Sequence, residues 1–326
     1  MHLLFNINLC KLFFVIITSS LVILGVLINF FEPHLPAFIK KTFRYGKFAS
    51  DEKSLLVQSV EVPKSYFRHF YVAAAFIFCP IFLKEVVAVY VFNKGVDDWI
   101  ETLLNFSCGY GRLSTVPAHR VLIASILLSL QIFRRFYDTH FVSVFSENAM
   151  INLSHYLIGM AFYPAVMLII LSEAPKFAQN GIIAPFTRHS FYTSKLVETN
   201  TTTFNLSEIM FNFFIIVVFL WAWYHQHVAT VILANLRKNK KGDVVDQGYR
   251  LPEGDWFNYL SSPHSTAEII MYTALTLLLA KNTSWLYVYA WILSNQIETI
   301  LLSHWWYLDR FKNFPPQRKA LIPFIY

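Results

Sequence analysis

Long apolar runs alternate with short polar ones along this chain, and their lengths predict helices that cross a bilayer. Such a helix needs about 20 predominantly apolar residues. Runs of this kind fall at roughly 12–31, 70–92, 121–137, 152–171, 209–233, 266–281 and 285–303. The third is the weakest, because its apolar core stops at Phe133, ahead of Arg134 and Arg135. The sixth and seventh are separated only by Lys281-Asn-Thr-Ser284, which predicts a tight helical hairpin. The first run is longer than a signal-peptide core, and Glu32-Pro33 follows it rather than a small-residue cleavage site, so it reads as an uncleaved span. The predicted fold class is all-α, a polytopic membrane protein with about seven transmembrane helices. No internal repeat interrupts the pattern, so 1–326 reads as one domain.

Composition agrees with this pattern. Of the residues, 56% are hydrophobic and 14% charged, where soluble domains carry about 25% charged residues. The net charge of +7 does not point to nucleic acid, because the basic residues sit in short loops between apolar spans. Cys10, Cys79 and Cys108 lie in or near different spans and form no CxxC motif, which argues against a disulfide framework or zinc cluster.

Charge then orients the chain. Of the 27 Lys and Arg residues, 18 fall in the loops after the first, third and fifth spans and in the C-terminal tail. The positive-inside rule places those segments in the cytosol, leaving the N-terminus lumenal. Sequons at Asn105, Asn200, Asn205 and Asn282 all fall in loops assigned to the lumen. Asn152 carries another at a span edge, where a glycan would be crowded.

Several familiar chemistries find no motif. No GxGxxG follows a strand, and P-loop and GxSxG patterns are missing. Gly109-Tyr-Gly111 reads as a turn, and Lys84-Glu85 as a paired or snorkelling couple. His225 and His227 project from different helix faces without an HxxxH box, so a diiron centre is disfavoured. Any nucleotide must therefore bind between helices and their cytosolic loops. The richest segment runs from His225 through Arg237, Arg250 and Asp255 to His264 and Glu268. Arg237 to Lys241 alone would serve as a topology anchor, but that leaves Arg250 and the aromatic, Pro-rich stretch after it unexplained. Arginine presents a planar fork of donors suited to phosphate. The tail repeats the theme: His304-Trp-Trp-Tyr307 leaves the last span, and Arg318-Lys319 follow in a Pro-bounded aromatic segment.

These segments resemble the steroid 5α-reductase family, and within it the branch acting on polyprenyl compounds. The resemblance is carried by Arg44-Tyr-Gly-Lys47, Val62-Pro-Lys-Ser-Tyr-Phe-Arg-His-Phe-Tyr71, Phe141-Val-Ser-Val-Phe-Ser146, Leu236-Arg-Lys-Asn-Lys240, Gly254-Asp-Trp-Phe257, Ser261-Ser-Pro263 and Arg318-Lys-Ala-Leu-Ile-Pro-Phe324. It covers nearly the whole chain from about residue 40 and leaves the first span less similar.

The resemblance implies a seven-helix enzyme of the endoplasmic reticulum membrane that uses NADPH to reduce a carbon–carbon double bond conjugated to a carbonyl. Its implied substrate is a long polyisoprenoid arriving laterally from the bilayer, saturated at its α-isoprene unit to feed dolichol-linked N-glycosylation. An aldehyde is the better hydride acceptor, since an allylic alcohol has no carbonyl to take the charge. Glu61 matches the family's catalytic glutamate. Where steroid-reducing members have a tyrosine one turn before an arginine, this chain has Ile132 or Gln131 ahead of Arg134-Arg135, so Gln131 becomes the expected carbonyl contact. That departure weighs against a steroid substrate, and the branch resemblance weighs against an enoyl thioester. For the cofactor, Arg237, Arg250, Glu268 and Tyr307 match contact positions. Gln226 and His264 stand where asparagine is usual, Thr230 replaces an aspartate, Arg135 matches a cofactor-proximal arginine, and His304 joins the polar patch before the tail.

Overall fold

The computed structural model describes residues 7–31, 34–35, 61–146, 149–178, 205–239, 241, 243–244 and 249–322. The Arg44-Tyr-Gly-Lys47 motif, the Asn200 sequon and the last four tail residues lie outside them. Helix α1 (Leu9–Phe31) is followed by strand β1 (Glu61–Pro63). Helices α2 (Phe67–Ala73) and α3 (Cys79–Tyr90) are joined through a π-helical turn, Ala74–Phe78. Then come α4 (Asp98–Cys108), α5 (Ala118–Tyr137), β2 (Met150–Asn152), α6 (Leu153–Ser172), α7 (Leu206–Asn235), α8 (Pro263–Leu278) and α9 (Trp285–Arg310).

Each predicted span coincides with a helix. Among the described residues four helical stretches are long and apolar enough to cross a membrane: Leu9–Phe31, Lys64–Tyr90, Leu153–Ser172 and Leu206–Asn235. The remaining three, α5, α8 and α9, are shorter or more polar. Helix α8 has 16 residues, which at 1.5 Å per residue is about 24 Å. Helix α4 was not foreseen, because its 11 residues are too few for a span. Its local signals are nevertheless conventional: Asp98 and Glu101 lie in the first turn, favoured by the helix dipole, and Gly109 follows the last turn at φ 81°.

The core is a single apolar cluster among the helices, with Phe14, Val86, Leu128, Val166, Phe219 and Trp285 fully buried. Outward faces stay apolar, as at Ile16, Ile23, Phe76, Phe213 and Phe214, which is the arrangement expected when lipid replaces water. Gly159 allows α6 to approach α2, since a Cβ there would collide with the Phe70 ring.

Strands β1 and β2 pair antiparallel, Glu61 opposite Asn152, and tie the start of α2 to the start of α6. The tail folds back at the same end. Ser261 N donates to Lys319 O at 3.0 Å and Lys319 N donates to Tyr259 O at 2.8 Å. At the opposite end, Glu173 closes α6 and receives donors from the α8–α9 hairpin.

That hairpin alters the reading of one sequon. Asn282 is fully buried; its Nδ2 donates to Ile169 O at 3.0 Å and its Oδ1 accepts from Trp285 N at 2.9 Å. Both ends of the amide are used inside the fold, so Asn282 is a cap rather than a glycan acceptor in the folded chain. Asn205 is exposed and caps α7, while Asn105 accepts from Arg112 at 2.8 Å. The sequons therefore support the orientation less broadly than their positions alone imply.

Candidate active site

A cavity of about 390 Å³ opens at the end of the bundle where α6 and α8 begin and α7 and α9 finish. Its size falls within the roughly 300–1,000 Å³ of small-molecule sites. Among the described residues three cations line it, Lys64, Arg237 and Arg250, with one carboxylate, Glu298. Like charges facing one space of reduced dielectric repel, so this lining favours an anion. Arg237 is held in place, donating from Nη1 to Val144 O at 2.9 Å while its guanidinium lies 5.9 Å from the Tyr249 ring centroid.

His264 and Tyr307 complete the wall. Helix α8 begins at Pro263, whose missing N–H costs nothing in a first turn, and this sets His264 at the cavity edge. Tyr307 is buried against Phe314, with rings 6.2 Å apart and nearly parallel. Phe314 also carries Arg318, whose guanidinium sits 5.5 Å from the ring centroid. Arg318 is only 3% exposed, and its Nε and Nη1 have no hydrogen-bond partner among the described residues. Burial pushes this guanidinium below its ordinary value. Arg318 itself lies behind Phe314 and is not among the residues lining the cavity.

Beneath the cavity lies a buried polar network. Gln131 Nε2 donates to Gln226 Oε1 at 2.9 Å and to Glu268 Oε2 at 3.2 Å. Gln226 Nε2 donates to His264 O at 2.9 Å and also to Glu268. Arg134 donates to Asp138 Oδ2 at 2.6 Å, to Gln131 Oε1 at 2.8 Å and to Gln226. His227 closes the chain on Asp138 at 2.6 Å. Every link joins α5, the Asp138 that caps it, α7 or α8, so the network fixes these helices to one another and to the cavity wall through His264.

The structure thus brings Arg237, Arg250, His264 and Tyr307 together at the cavity, and Gln131, Gln226 and Glu268 into the network below it. Thr230 bridges the two, lining the cavity while its hydroxyl donates to Gln226 O at 3.0 Å. Arg135 faces another way, donating from Nε and Nη2 to Tyr71 Oη at 3.2 and 3.1 Å. His304 lies outside the cavity lining; its Nδ1 pairs with Ser261 Oγ at 2.7 Å and ties α9 to the segment before α8. Glu61 sits half-buried on β1, three residues ahead of Lys64, outside both the cavity lining and the network. The structure does not bring Glu61 and Gln131 into contact. Gln131 has given both amide protons to Gln226 and Glu268, so as placed it has none left for a carbonyl.

Sequence reasoning missed Lys64, Arg134, Asp138 and Tyr71. Arg134 and Asp138 stand at the four-residue spacing of a helical ion pair, a visible signal. Lys64 gave none, because the loop charge count absorbed it. Elsewhere Asp255, at φ 46° after Gly254 at φ 93°, reaches His225 Nδ1 at 2.9 Å, while His225 stacks on Trp256. The Gly254 turn needs a left-handed backbone that glycine adopts without strain. His227 turns instead to Asp138, so the two histidines do serve different faces.

A dinucleotide phosphate fits these residues: clustered cations at Lys64, Arg237 and Arg250 and aromatic walls at Tyr249 and Tyr307. Known proteins point the same way. The family described as 3-oxo-5-alpha-steroid 4-dehydrogenase matches residues 165–326. A polyprenal reductase of Drosophila melanogaster is 34% identical over 98% of this chain and 94% of its own length. That of Homo sapiens is 31% identical over 89% of this chain and 86% of its own length. That of Danio rerio is 30% identical over 91% and 92% respectively. With a relative this similar along almost its entire length, the chain belongs to the polyprenal reductase branch of the steroid 5α-reductase family.

Proposed function

We propose that this chain reduces the α-isoprene double bond of polyprenal, using NADPH, and so supplies the dolichal and dolichol series on which N-glycosylation depends. The observation that carries this reading is the cation-lined cavity set directly above a buried amide and carboxylate network, in a chain similar to polyprenal reductases over almost its full length. Lys64, Arg237 and Arg250 would hold the phosphates, Tyr307 and His264 the flat rings, and Gln226 and Glu268 the remaining polar edge. When bound, NADPH supplies the hydride. The protein's share is to orient the polyisoprenoid aldehyde, exclude water and stabilise charge developing on the carbonyl oxygen. Glu61 is proposed as an acid at that oxygen, and Glu61→Gln is expected to lose turnover while retaining NADPH binding.

In the same proposal seven helices cross the endoplasmic reticulum membrane, with the cavity and the basic tail facing the cytosol, where NADPH is met. The exposed apolar flanks of α1 and α7 suit a lipid surface from which a long isoprenoid arrives laterally. Purified protein in nanodiscs, supplied with NADPH and either polyprenal, polyprenol or a 3-oxo-Δ4 steroid, tests the reading. Consumption of polyprenal is expected; saturation of the steroid alone overturns it.

A further inference from the structure

Reduction of a conjugated aldehyde needs hydrogen-bond donors at the carbonyl oxygen, where negative charge appears as hydride reaches the β-carbon. Glu61 is one proposed donor. The other expected donor, Gln131, has no free amide proton, and its neighbour Ile132 is a fully buried core residue. Neither of these two positions therefore offers the second donor.

One turn along the same helix, Arg135 points at a hydroxyl contributed by another. Its Nε and Nη2 both donate to Tyr71 Oη on α2, at 3.2 and 3.1 Å, and its guanidinium carbon lies 5.1 Å from the ring centroid. No carboxylate lies within ion-pair distance of Arg135 among the described residues, so the phenol is its partner. Two guanidinium protons occupy the lone pairs of that oxygen. A phenol has one proton and two acceptor sites, so the O–H of Tyr71 is left to donate, and it has no acceptor among the described residues. A cation fixed on the oxygen also makes this O–H a stronger donor. Aromatic packing surrounds the ring. Tyr163 of α6 packs 5.9 Å away between centroids, and Phe70, the preceding residue, is seated on Gly159 of the same helix. Nearby, the buried hydroxyl of Tyr272 on α8 also has no hydrogen-bond partner among the described residues.

We propose that Tyr71 is a catalytic residue, the second donor to the substrate carbonyl, with Arg135 as the positioning residue that aims it. This rests on the reductase reading above. In the step itself a hydride forms the new C–H bond at the β-carbon, the C=C pair moves toward the carbonyl carbon, and the carbonyl π pair moves onto oxygen. Tyr71 keeps its proton and donates a hydrogen bond to that oxygen. The α-carbon then takes a proton from water, restoring the carbonyl. The tyrosine serves here from α2, not from the helix that bears the arginine.

The test compares wild type, Tyr71→Phe, Tyr272→Phe and a chain bearing 3-fluorotyrosine at position 71. Loss of one such donor costs about 10²- to 10³-fold in kcat, so Tyr71→Phe is expected to fall by that factor with little change in KM and with NADPH affinity intact. The second readout needs no turnover. A ¹³C-carbonyl isoprenoid ketone, saturated and unreactive, should show its C=O stretch displaced to low frequency on wild type. The displacement should be lost on Tyr71→Phe, and greater on the fluorotyrosine chain, whose O–H is the stronger donor. Wild-type kcat and an unchanged stretch in Tyr71→Phe would overturn the proposal, as would a loss confined to Tyr272→Phe. If wild type leaves polyprenal unreduced, the reductase reading fails first and the role of Tyr71 with it.

Discussion

The two ends of the helical bundle hold charge in opposite ways. At one end the Glu173 carboxylate takes five donors: Thr115 Oγ1 at 3.0 Å, Thr283 N and Oγ1 at 2.9 Å each, and Ser284 N and Oγ at 2.9 and 2.6 Å. At the other, about 30 Å away along the 20 residues of α6, Lys64, Arg237 and Arg250 line one cavity in which Glu298 is the one carboxylate among the described residues. A charge matched inside the fold stabilises the fold. An excess of one sign lining a cavity favours a ligand of the other. Burial alone does not separate the two cases; the partner inventory does.

The comparison breaks most visibly at Glu173. Replacing it with Ala strands buried donors in the α8–α9 hairpin, at a cost of about 2–4 kcal/mol. Thermal unfolding of the detergent-solubilised protein should show that loss, while NADPH affinity of the remaining folded protein stays at the wild-type value. A weakened cofactor affinity would mean that the two ends are coupled. The reverse experiment is Arg237→Ala. A charge-assisted hydrogen bond to phosphate contributes about 1.5–3 kcal/mol, so NADPH should bind about 10- to 150-fold more weakly in a fluorescence titration, with the unfolding temperature nearly unchanged. An equal fall in stability would make Arg237 a structural residue like Glu173.

Asn282 sharpens the contrast, because a sequence motif and the fold assign it different work. Asn282→Gln cannot keep both the Ile169 and Trp285 bonds, and should cost about 1–2 kcal/mol. Its mobility on a gel before and after glycosidase treatment should equal that of wild type. A lost glycan would show that Asn282 is modified and the hairpin reads differently in the membrane.

How far the sequence reached follows from the same distinction. Apolar run length marks helices well, so every predicted span meets one, and the hairpin at Lys281–Ser284 was visible as a four-residue gap. Arg237, Arg250, His264 and Tyr307 were legible because a basic and aromatic cluster near a span end is unusual. The network was only half legible. Gln226 and Glu268 could be named, but whether the Gln131 amide is free or committed depends on three helices meeting, and no local pattern encodes that. Arg135 was found without its partner, since Tyr71 lies 64 residues earlier in a helix of ordinary apolar composition. Helix α4 escaped because length was the criterion, although its acidic first turn and terminal glycine were present.

The smallest effect expected is a pH dependence confined to one end. Burial alone would raise the Glu173 carboxyl, but hydrogen bonds from Ser284 and Thr283 outweigh it and hold the group below its ordinary value of 4.5. A carboxylate depressed on folding contributes stability that is fully present above its unfolded value and is lost as pH falls through the lower folded one. Between pH 7 and 5 the contribution of Glu173 should therefore be constant, and it should decline below about pH 4.5. Wild type and Glu173→Gln, compared by thermal unfolding across that range, should converge as the solution is acidified, because protonation removes the charge that the variant lacks throughout. A difference between them that held constant down to pH 3 would show that the five donors recognise the shape of the side chain rather than its charge.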